Sequence, residues 1–244
     1  MINYFQYNGK ELDRMHGLDW YDYGARHYDA VLGRWMCMDP LVEKTFPVSG
    51  YIYCLNNPIK FIDPNGDKAM IWYVDKNGKN RTFMYDGTQK RVPNNAFVLD
   101  FVHTYNYLKG KEAGENLCKA VTDPNIIIEV QESSEENLYD NSDRRYTVFW
   151  MPRKGLRTSD GGKQSPAVRL EHEFDHALDD IKNHKEHREK REVRDSQYDN
   201  AEEKRVIRGS ETKTARKLGE SIRTNHRGTD YDVVDPRTTV PLNK

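Results

Sequence analysis

The sequence predicts an α+β protein in which a small β-rich module is followed by a larger domain of mixed helices and strands. Residues 1–66 are rich in aromatic side chains and turn signals, which is typical of short strands, whereas residues 93–229 combine strand-like runs with helical periodicity. Residues 67–92 are predicted to form a connecting β-hairpin, and residues 230–244 an extended or disordered tail. The chain has 244 residues, and its 15 Tyr, 8 Phe and 4 Trp can supply the cores of two small domains.

The composition argues against several classes of partner. Lys and Arg number 38 and Asp and Glu 39, so the formal net charge of -1 gives no overall field that would attract nucleic acid or an anionic membrane. No apolar run approaches the roughly 18 residues that a membrane span needs, and no cleaved signal peptide is predicted after Met1. The 3 cysteines lack CxxC spacing, which favours free thiols over a disulfide framework or a thiolate metal site.

The N-terminal module consists of short alternating segments. Residues 19–23 and 25–29 are predicted strands, separated from their neighbours by Asn-Gly, Leu-Gly and Asn-Asn-Pro turn signals. Six landmarks follow one another along the module: Asn8-Gly9-Lys10-Glu11, Tyr23-Gly24-Ala25-Arg26-His27-Tyr28, Gly33-Arg34-Trp35, Asp39-Pro40, Asn56-Asn57-Pro58 and Asp63-Pro64-Asn65-Gly66. In this order they resemble the RHS-repeat-associated core, the end of the β-repeat shells of bacterial polymorphic toxins. The resemblance covers most of residues 5–66 and implies that the function lies in the toxin segment that follows.

That family often cleaves itself just after a second Asp-Pro-x-Gly-Leu motif and uses aspartates for the chemistry. The resemblance implies Asp39 and Asp63 as the corresponding pair, and two carboxyl groups held close together can share a proton. The first copy here is Asp-Pro-Leu-Val, without the glycine, and the second ends in Asp67 instead of leucine. We therefore favour turns at both Asp-Pro pairs over self-cleavage.

The larger domain alternates strand-like and helical patterns. A hairpin is predicted around Asn77 and Gly78, and a helix that begins after Pro93 and ends at Gly110 carries apolar residues three and four positions apart. The next predicted elements are a helix over residues 112–121, strands over 126–130 and 146–150, and polar loops over 132–145 and 153–166.

A further helix beginning at Ala167 carries the stretch His-Glu-Phe-Asp-His. One side of it is an apolar stripe, formed by Ala167, Leu170, Phe174, Leu178 and Ile181. At about 100° per residue, His172 and His176 fall on the side opposite Phe174, one turn apart. The helix therefore has a core-facing side and a separate imidazole side.

Two histidines at positions i and i+4 of a helix can present two nitrogens to one tetrahedral ion, for which zinc is the expected metal. Glu173 follows the first histidine, so it lies near the ion without binding it and can take a proton from water. The alternative is a polar surface helix whose side chains meet only solvent. The amphipathic helix, the two preceding strands and the toxin position favour a zinc site, with His172 and His176 as ligands and Glu173 as the general base.

A catalytic zinc ion usually has three protein ligands, so a third is expected downstream. Candidate residues on predicted helix there are Glu202, Glu203, Glu211 and Glu220. His-Glu-x-x-His-Ala, followed by a Glu-Glu pair, Gly-x-Glu and Leu-Gly-x-x-x-Arg, resembles the effector metallopeptidases that pathogenic bacteria inject into host cells, the NleD-like group. This resemblance implies Glu203 or Glu211 as the third ligand and matches Arg216 and Arg223 to the arginines of the family's closing block.

Both candidate ligands have an alternative role. Glu211 could be a first-turn acidic residue after Gly209 and Ser210, favoured by the helix dipole, and Glu203 could lie on a solvated helix side. Glu203 is slightly preferred because it lies inside its helix. The sequence departs from the family pattern at Thr212, where asparagine is usual, and at His226, where tyrosine is usual.

Asp179 and Asp180 follow His176 by three and four residues and could accept the hydrogen of its other ring nitrogen, which would fix the tautomer. Arg223 is also expected near the site. Residues 182–197 contain histidines and basic residues, but acidic residues are interleaved at helical spacing. That pattern predicts an exposed helix with salt bridges and not a nucleic-acid site.

The predicted protein is a zinc-dependent endopeptidase toxin with a zincin-like α+β fold at the C-terminus of an RHS-type polymorphic toxin. Its expected partners are a protein substrate and a cognate immunity protein, without nucleic acid and without a membrane span. We expect synthesis in the bacterial cytoplasm and delivery into a target cell by a secretion system. Two alternatives stay open: a nuclease toxin cassette, and an inactive RHS-associated cassette with a structural role.

Overall fold

The computed structural model describes residues 5–7, 10–14, 17, 19–23, 26–38, 49, 51, 53, 69–123, 126–142 and 145–242. The chain forms two compact units, Met1–Asp67 and Lys68–Lys244. The second unit combines helices with several sheets, which confirms the predicted α+β class. Within the described ranges, every helix is too short or too polar to cross a bilayer.

The first unit contains an antiparallel meander whose five strands pair in chain order. The strands are β1 (Phe5–Tyr7), β2 (Lys10–Asp13), β3 (Trp20–Asp22), β4 (His27–Asp29) and β5 (Arg34–Trp35). The buried cluster in this part of the chain is aromatic and consists of Tyr23, Tyr28, Trp35 and Tyr53. Most of these rings pack edge to face, a geometry that aromatic quadrupoles favour. Asp39 and Asp63, the residues considered for self-cleavage, lie outside the described residues.

The second unit is built around a five-stranded mixed sheet. In spatial order its strands are β7 (Asn80–Tyr85), β6 (Ala69–Val74), β8 (Glu129–Glu132), β10 (Thr147–Trp150) and β9 (Leu138–Asp140). The β6–β8 and β8–β10 pairs are parallel, whereas both outer pairs are antiparallel. β9 is therefore an edge strand. The β6–β7 connection contains Gly78 with φ 74°, as a tight hairpin turn requires.

Two helices connect β7 to β8, namely α1 (Ala96–Gly110) and α2 (Glu115–Thr122). Asn95 caps α1, since its side chain accepts a hydrogen bond from the backbone N–H of Val98. Gly114 begins α2 with φ 65°, and a Cβ there would lie 2.9 Å from the Cβ of Leu108. Only glycine therefore fits this close approach of the two helices.

The remaining elements follow β10 in the chain. They are β11 (Lys154–Thr158), β12 (Lys163–Gln164), α3 (Pro166–Lys182), α4 (His184–Glu192), β13 (Arg194–Asp195), β14 (Asp199–Asn200), α5 (Ala201–Val206), a π-helical turn (Ile207–Glu211), α6 (Thr212–Leu218) and β15 (Gly228–Asp232). α3 contacts β9 and β10 on one side and α4, α5 and the π-helical turn on another, so it is the central helix of this unit.

The apolar stripe of α3 faces the core, as predicted. Its members pack in the main hydrophobic cluster: Ala167, Leu170, Phe174, Leu178 and Ile181. The ring centroids of Phe174 and Phe101 are 6.3 Å apart, which connects α3 to α1. The orientation of α3 about its own axis, and hence the direction of its imidazole side, is fixed by this packing.

Three parts of the second unit differ from the sequence prediction. β9, β11 and β12 lie in stretches predicted to be loops, because these strands are short and polar and pair with distant segments. Residues 230–232 of the predicted tail belong to β15, which pairs with β11. β6 and β7, predicted as a connector, join the central sheet through the parallel β6–β8 pairing. Local sequence patterns do not report such long-range pairing.

Glu171 fixes α3 against the start of α2. It is fully buried, and its carboxylate accepts hydrogen bonds from the backbone N–H and side-chain amide of Asn116, both at 3.0 Å, and from the backbone N–H of Leu117 at 2.9 Å. Gly114 has no side chain to cap α2, so Glu171 supplies that cap from a neighbouring helix. Because His172 is the next residue, the same contact positions the imidazole side of α3.

We expect Glu171→Ala to destabilise the protein by about 3 kcal/mol, since it leaves buried N–H groups at the start of α2 without an acceptor. Urea denaturation followed by circular dichroism would measure the change. The exposed Glu115→Ala is the matched control and should change stability by less than about 0.5 kcal/mol. Similar effects of the two substitutions would contradict the capping role of Glu171.

Candidate metal centre

α3 brings two imidazole nitrogens together in the interior of the second unit. His172 and His176 are 4% and 5% exposed, and their Nε2 atoms are 3.0 Å apart. Glu173, which is 8% exposed, joins them in one group of side chains that could hold a metal ion. α5 and the π-helical turn pack against α3, so the predicted imidazole side is an interior surface.

Glu203 approaches the two imidazoles from α5. Its Oε2 lies 3.1 Å from Nε2 of His172, and its Oε1 lies 3.2 Å from Nε2 of His176. The Oε2 atom is buried and has no hydrogen bond of suitable geometry among the described residues. A buried carboxylate oxygen without a hydrogen bond is uncommon, and such an atom normally contacts an ordered water molecule or an ion.

Two other carboxylates contact the opposite edges of the rings. Nδ1 of His172 is 2.8 Å from Oε2 of Glu211, and Nδ1 of His176 is 3.1 Å from Oε1 of Glu202. An ionised carboxylate only accepts hydrogen bonds, so each Nδ1 carries a hydrogen, and each Nε2 of a neutral ring presents a lone pair. Both lone pairs are directed toward each other and toward Glu203, an arrangement that is unfavourable unless positive charge lies among them.

Glu211, one of the two predicted third ligands, lies on the Nδ1 side of His172 and not at the Nε2 atoms. Its carboxylate accepts two hydrogen bonds from Arg223, including one from Nε at 2.8 Å, and another from the Gln164 amide at 2.9 Å. Arg223 is 8% exposed, so this is a buried, doubly hydrogen-bonded ion pair. Glu211 therefore orients the His172 ring, and Glu203 is the candidate that meets the Nε2 atoms.

Glu202 has the corresponding role for His176. It is fully buried, and it accepts hydrogen bonds from Nε and Nη2 of Arg205 at 2.9 and 2.6 Å. Among the described residues, Glu202 and Glu211 each form an ion pair with an arginine, whereas Glu173 and Glu203, the carboxylates beside the Nε2 atoms, form none with arginine or lysine. Two such charges match a divalent cation.

The same contacts shift the pKa values of the cluster. Burial alone would lower the pKa of His176, but Glu202 and Glu203 outweigh burial and raise the pKa to about 10. The pKa of His172 is also raised, against the effect of burial, by Glu203 and Glu211. Burial would raise the pKa of Glu203, yet the two imidazoles hold it well below its usual range. The centre thus strongly favours a bound cation, which could be a proton or a metal ion.

A small cavity adjoins the cluster. Its volume is about 30 Å³, which is enough for a water molecule. The cavity is lined by Leu138, Tyr139, Glu173, His176, His187, Arg191 and Glu203. Its wall therefore combines the imidazole side of α3 with α4, α5 and the edge strand β9.

The proposed role of Asp179 and Asp180 at the His176 ring is corrected by the structure. Asp180 accepts hydrogen bonds from Tyr139 and Asn141, and Glu202 occupies the position at Nδ1 of His176. Side chains on an α-helix lean toward its N-terminus, so the His176 ring points away from residues three and four positions later. A carboxylate from the facing helix α5 reaches Nδ1 instead.

Asp179, His187 and Glu202 form a second group of side chains that could hold a metal ion. Nδ1 of His187 lies 3.2 Å from Asp179 and 3.3 Å from Glu202, while Nζ of Lys190 lies 3.0 and 3.1 Å from the two Asp179 oxygens. Lys190 and Arg205 already neutralise these carboxylates, so this group is a salt-bridge network. The exposed helix predicted over residues 182–197 is shorter in the structure, because α4 ends at Glu192 and β13 follows. Most of α4 is exposed as predicted, but His187 is only 1% exposed.

The residues at which the sequence departs from the effector-peptidase pattern have identifiable contacts. The Thr212 hydroxyl donates to a backbone carbonyl of the π-helical turn at 2.6 Å. Nε2 of His226 lies 3.3 Å from Oε2 of Glu203, and its Nδ1 contacts Asp199. His226 therefore adjoins the centre from the loop before β15, whereas Arg216 is exposed on α6.

Glu202 was a candidate metal ligand in the sequence analysis, but its contact with Nδ1 of His176 was not predicted. His187 and Glu171 were not among the predicted site residues. The adjacent pair Glu202-Glu203 could have predicted this arrangement from the sequence, because neighbouring helical residues point about 100° apart and can contact different edges of the same imidazoles. His187 had no such signal, because the chain breaks its helical course at Asn183 between α3 and α4.

Comparison with known proteins gives a short similarity. A stretch of 66 residues is 42% identical to Salivary gland surface protein 1 of Aedes aegypti; it is 27% of this chain and covers 2% of that protein. No family model matches the chain, and no solved structure matches it. The geometry of the buried cluster is therefore the principal guide to function.

Proposed function

We propose that this chain is a zinc-dependent endopeptidase in which His172, His176 and Glu203 bind the metal and Glu173 is the general base. The observation that carries the proposal is the convergence of two buried Nε2 atoms, 3.0 Å apart, with the half-buried Glu203 carboxylate. One Glu203 oxygen lies 3.1 Å from Nε2 of His172 and the other lies 3.2 Å from Nε2 of His176. Two neutral rings would place two lone pairs face to face, and two protonated rings would place two N–H groups face to face. One proton held between the Nε2 atoms relieves both conflicts, and so does a metal ion, which replaces that proton.

The residues present fit zinc. Donor atoms about 2.0–2.1 Å from a tetrahedral zinc ion lie about 3.3 Å from one another, which is close to the 3.0 Å between the two Nε2 atoms and to the 3.1 and 3.2 Å from each Nε2 to its nearest Glu203 oxygen. Two imidazoles and one glutamate are a donor set that hydrolytic zinc sites use, and they leave a fourth position for solvent. Glu202 and Glu211 supply the outer hydrogen bonds that ligating imidazoles normally have.

The chemistry follows from the position of Glu173. Bound zinc would supply Lewis acidity, which makes water nucleophilic near neutral pH and polarises a carbonyl group. Glu173 lines the adjoining cavity, so its carboxylate can take a proton from water there and then give it to the leaving amine. The arginine-paired Glu202 and Glu211 keep both imidazoles in orientation during these proton transfers.

The edge strand favours a peptide as the substrate. β9 is the last strand of the five-stranded sheet, and its residues Leu138 and Tyr139 line the cavity together with Glu173. An extended peptide can add to such an edge by backbone hydrogen bonds, which would place one of its carbonyl groups at the cavity. A nuclease is less well supported, because the carboxylates around the cavity repel a phosphate backbone.

The resemblance of the first unit to an RHS core supports a toxin role for the proposed peptidase. In that setting the victim protein would lie in the cell that receives the toxin, and a cognate immunity protein would protect the producer. We would express the full chain and its Glu173→Gln variant in a bacterium and map new protein N-termini across the proteome. New termini that appear only with the unsubstituted chain would support the proposal, whereas identical maps would refute it.

Zinc binding is expected to release at least one proton per ion at pH 7. The pKa of His176 is raised to about 10 in the metal-free protein, and zinc requires the neutral ring, so zinc and the proton compete. Zinc affinity should therefore rise by about tenfold per pH unit for each proton released, up to the raised pKa, and fall as the pH decreases.

Titration calorimetry in buffers of different ionisation enthalpy measures the number of protons released. The exposed His103→Asn variant is the control and should release the same number as the unsubstituted protein. Zinc binding without proton release would show that the imidazoles are not the groups that the metal contacts.

A further inference from the structure

We propose that His187 is a further catalytic residue, whose Nε2 accepts a hydrogen bond from the water molecule that Glu173 deprotonates. This inference rests on the proposed hydrolytic function and extends it to a residue of α4. It assigns a chemical role to a buried imidazole that is separate from the three proposed ligands.

One nitrogen of the His187 ring, Nδ1, is in contact with two carboxylates. Its Nδ1 lies 3.2 Å from Oδ2 of Asp179 and 3.3 Å from Oε1 of Glu202, and both partners are carboxylates. Nδ1 therefore carries the hydrogen, and Nε2 of the neutral ring presents a lone pair. The ring also packs edge-on against His176 and Tyr139, with centroids 6.1 and 6.0 Å away, so its orientation is fixed on both sides.

The other ring nitrogen, Nε2, has no hydrogen-bond partner in the part of the chain that the structure describes. His187 is 1% exposed, and its Nε2 is buried without a hydrogen bond among the described residues. His187 lines the cavity of about 30 Å³ together with Glu173, His176 and Glu203. Buried polar atoms in this condition normally meet ordered water or a ligand.

A water molecule in this cavity would meet two acceptors on the wall. One O–H would be directed to the Glu173 carboxylate and the other to Nε2 of His187. With both hydrogens held, the oxygen lone pairs point away from these two acceptors, which fixes the direction of nucleophilic attack. The proton that leaves the water goes to Glu173, while His187 keeps its own proton on Nδ1 throughout.

Glu202 connects the metal ligands to this arrangement. Its Oε1 lies 3.1 Å from Nδ1 of His176 and 3.3 Å from Nδ1 of His187. One buried carboxylate therefore orients both the ligand imidazole and the imidazole that faces the water. A purely structural role for His187 would not require the residue to line the cavity.

The test uses the zinc-loaded full chain and acetohydroxamate, whose oxygens replace a zinc-site water and whose N–H and O–H groups can donate to the cavity wall. His187→Asn keeps a donor near the Nδ1 position and removes Nε2, whereas His187→Gln restores a polar atom near Nε2. We expect all three proteins to hold one zinc ion per chain. Calorimetry should show acetohydroxamate binding about tenfold weaker in His187→Asn and largely restored in His187→Gln.

The outcomes separate this inference from the proposed function. Absence of zinc uptake by the unsubstituted chain overturns both, whereas normal zinc uptake with unchanged acetohydroxamate affinity in His187→Asn overturns the role of His187 alone. A second measurement needs no substitution: the ¹⁵N resonance of His187 Nε2 in the zinc-loaded chain should shift on addition of acetohydroxamate. An unchanged resonance at saturation also overturns the role.

Discussion

Glu173→Gln is expected to lower peptide hydrolysis by about 10²–10⁴-fold while the protein still binds one zinc ion. Glutamine preserves the size of the side chain but cannot accept a proton, and the proposed ligands are untouched. The three proposed ligands make their contacts without Glu173, so zinc content should not change. Turnover of a peptide chosen from the newly mapped termini, with metal analysis of the same samples, measures both quantities.

Glu189→Gln on the exposed surface of α4 is the matched control for Glu173→Gln. It makes the same chemical change outside the cavity and should retain normal turnover. If Glu173→Gln kept zinc and normal turnover, the proton acceptor would be another group. If it lost zinc, Glu173 would be a metal ligand, in agreement with its position beside His172 and His176 in one group of potential ligand side chains.

The elements that could be predicted from the sequence are those whose pattern is local. The stripe on α3 predicts both the helix and its core-facing side, and the pattern after Pro93 predicts where α1 begins. β9, β11 and β15 could not be predicted, because their few polar residues become strands only when a distant segment pairs with them. Their stability is a property of the sheet and not of the segment.

In the candidate site, too, only the features that depend on local sequence could be predicted. The spacing of His172 and His176 on one helix is a local fact, so their proximity was predictable. The partner of each Nδ1 was not, because it depends on how α5 and the π-helical turn lie against α3. Gly209, with φ -95° and ψ -107°, interrupts the helical course between Glu203 and Glu211. Sequence spacing assumes an uninterrupted helix and therefore could not separate the roles of these two glutamates.

Glu203→Gln is expected to weaken zinc binding by more than about 100-fold, which is beyond the range typical of losing an outer hydrogen bond to a ligand. Its two oxygens are the carboxylate atoms that meet both Nε2 atoms, and an amide is a much poorer zinc ligand. Competition against a chelator of known affinity at fixed pH measures the change. Circular dichroism of the metal-free variant checks that the fold is retained.

Glu211→Gln is the matched comparison, because it alters the other predicted third ligand. It removes charge from the pair with Arg223 and weakens the hydrogen bond at Nδ1 of His172, so we expect zinc affinity to fall by about 10–100-fold, with some loss of stability. The order of the two effects decides which glutamate closes the metal site. A larger loss in Glu211→Gln than in Glu203→Gln would mean that the His172 ring turns over when metal binds, and the arrangement of ligands proposed from the metal-free geometry would then be wrong.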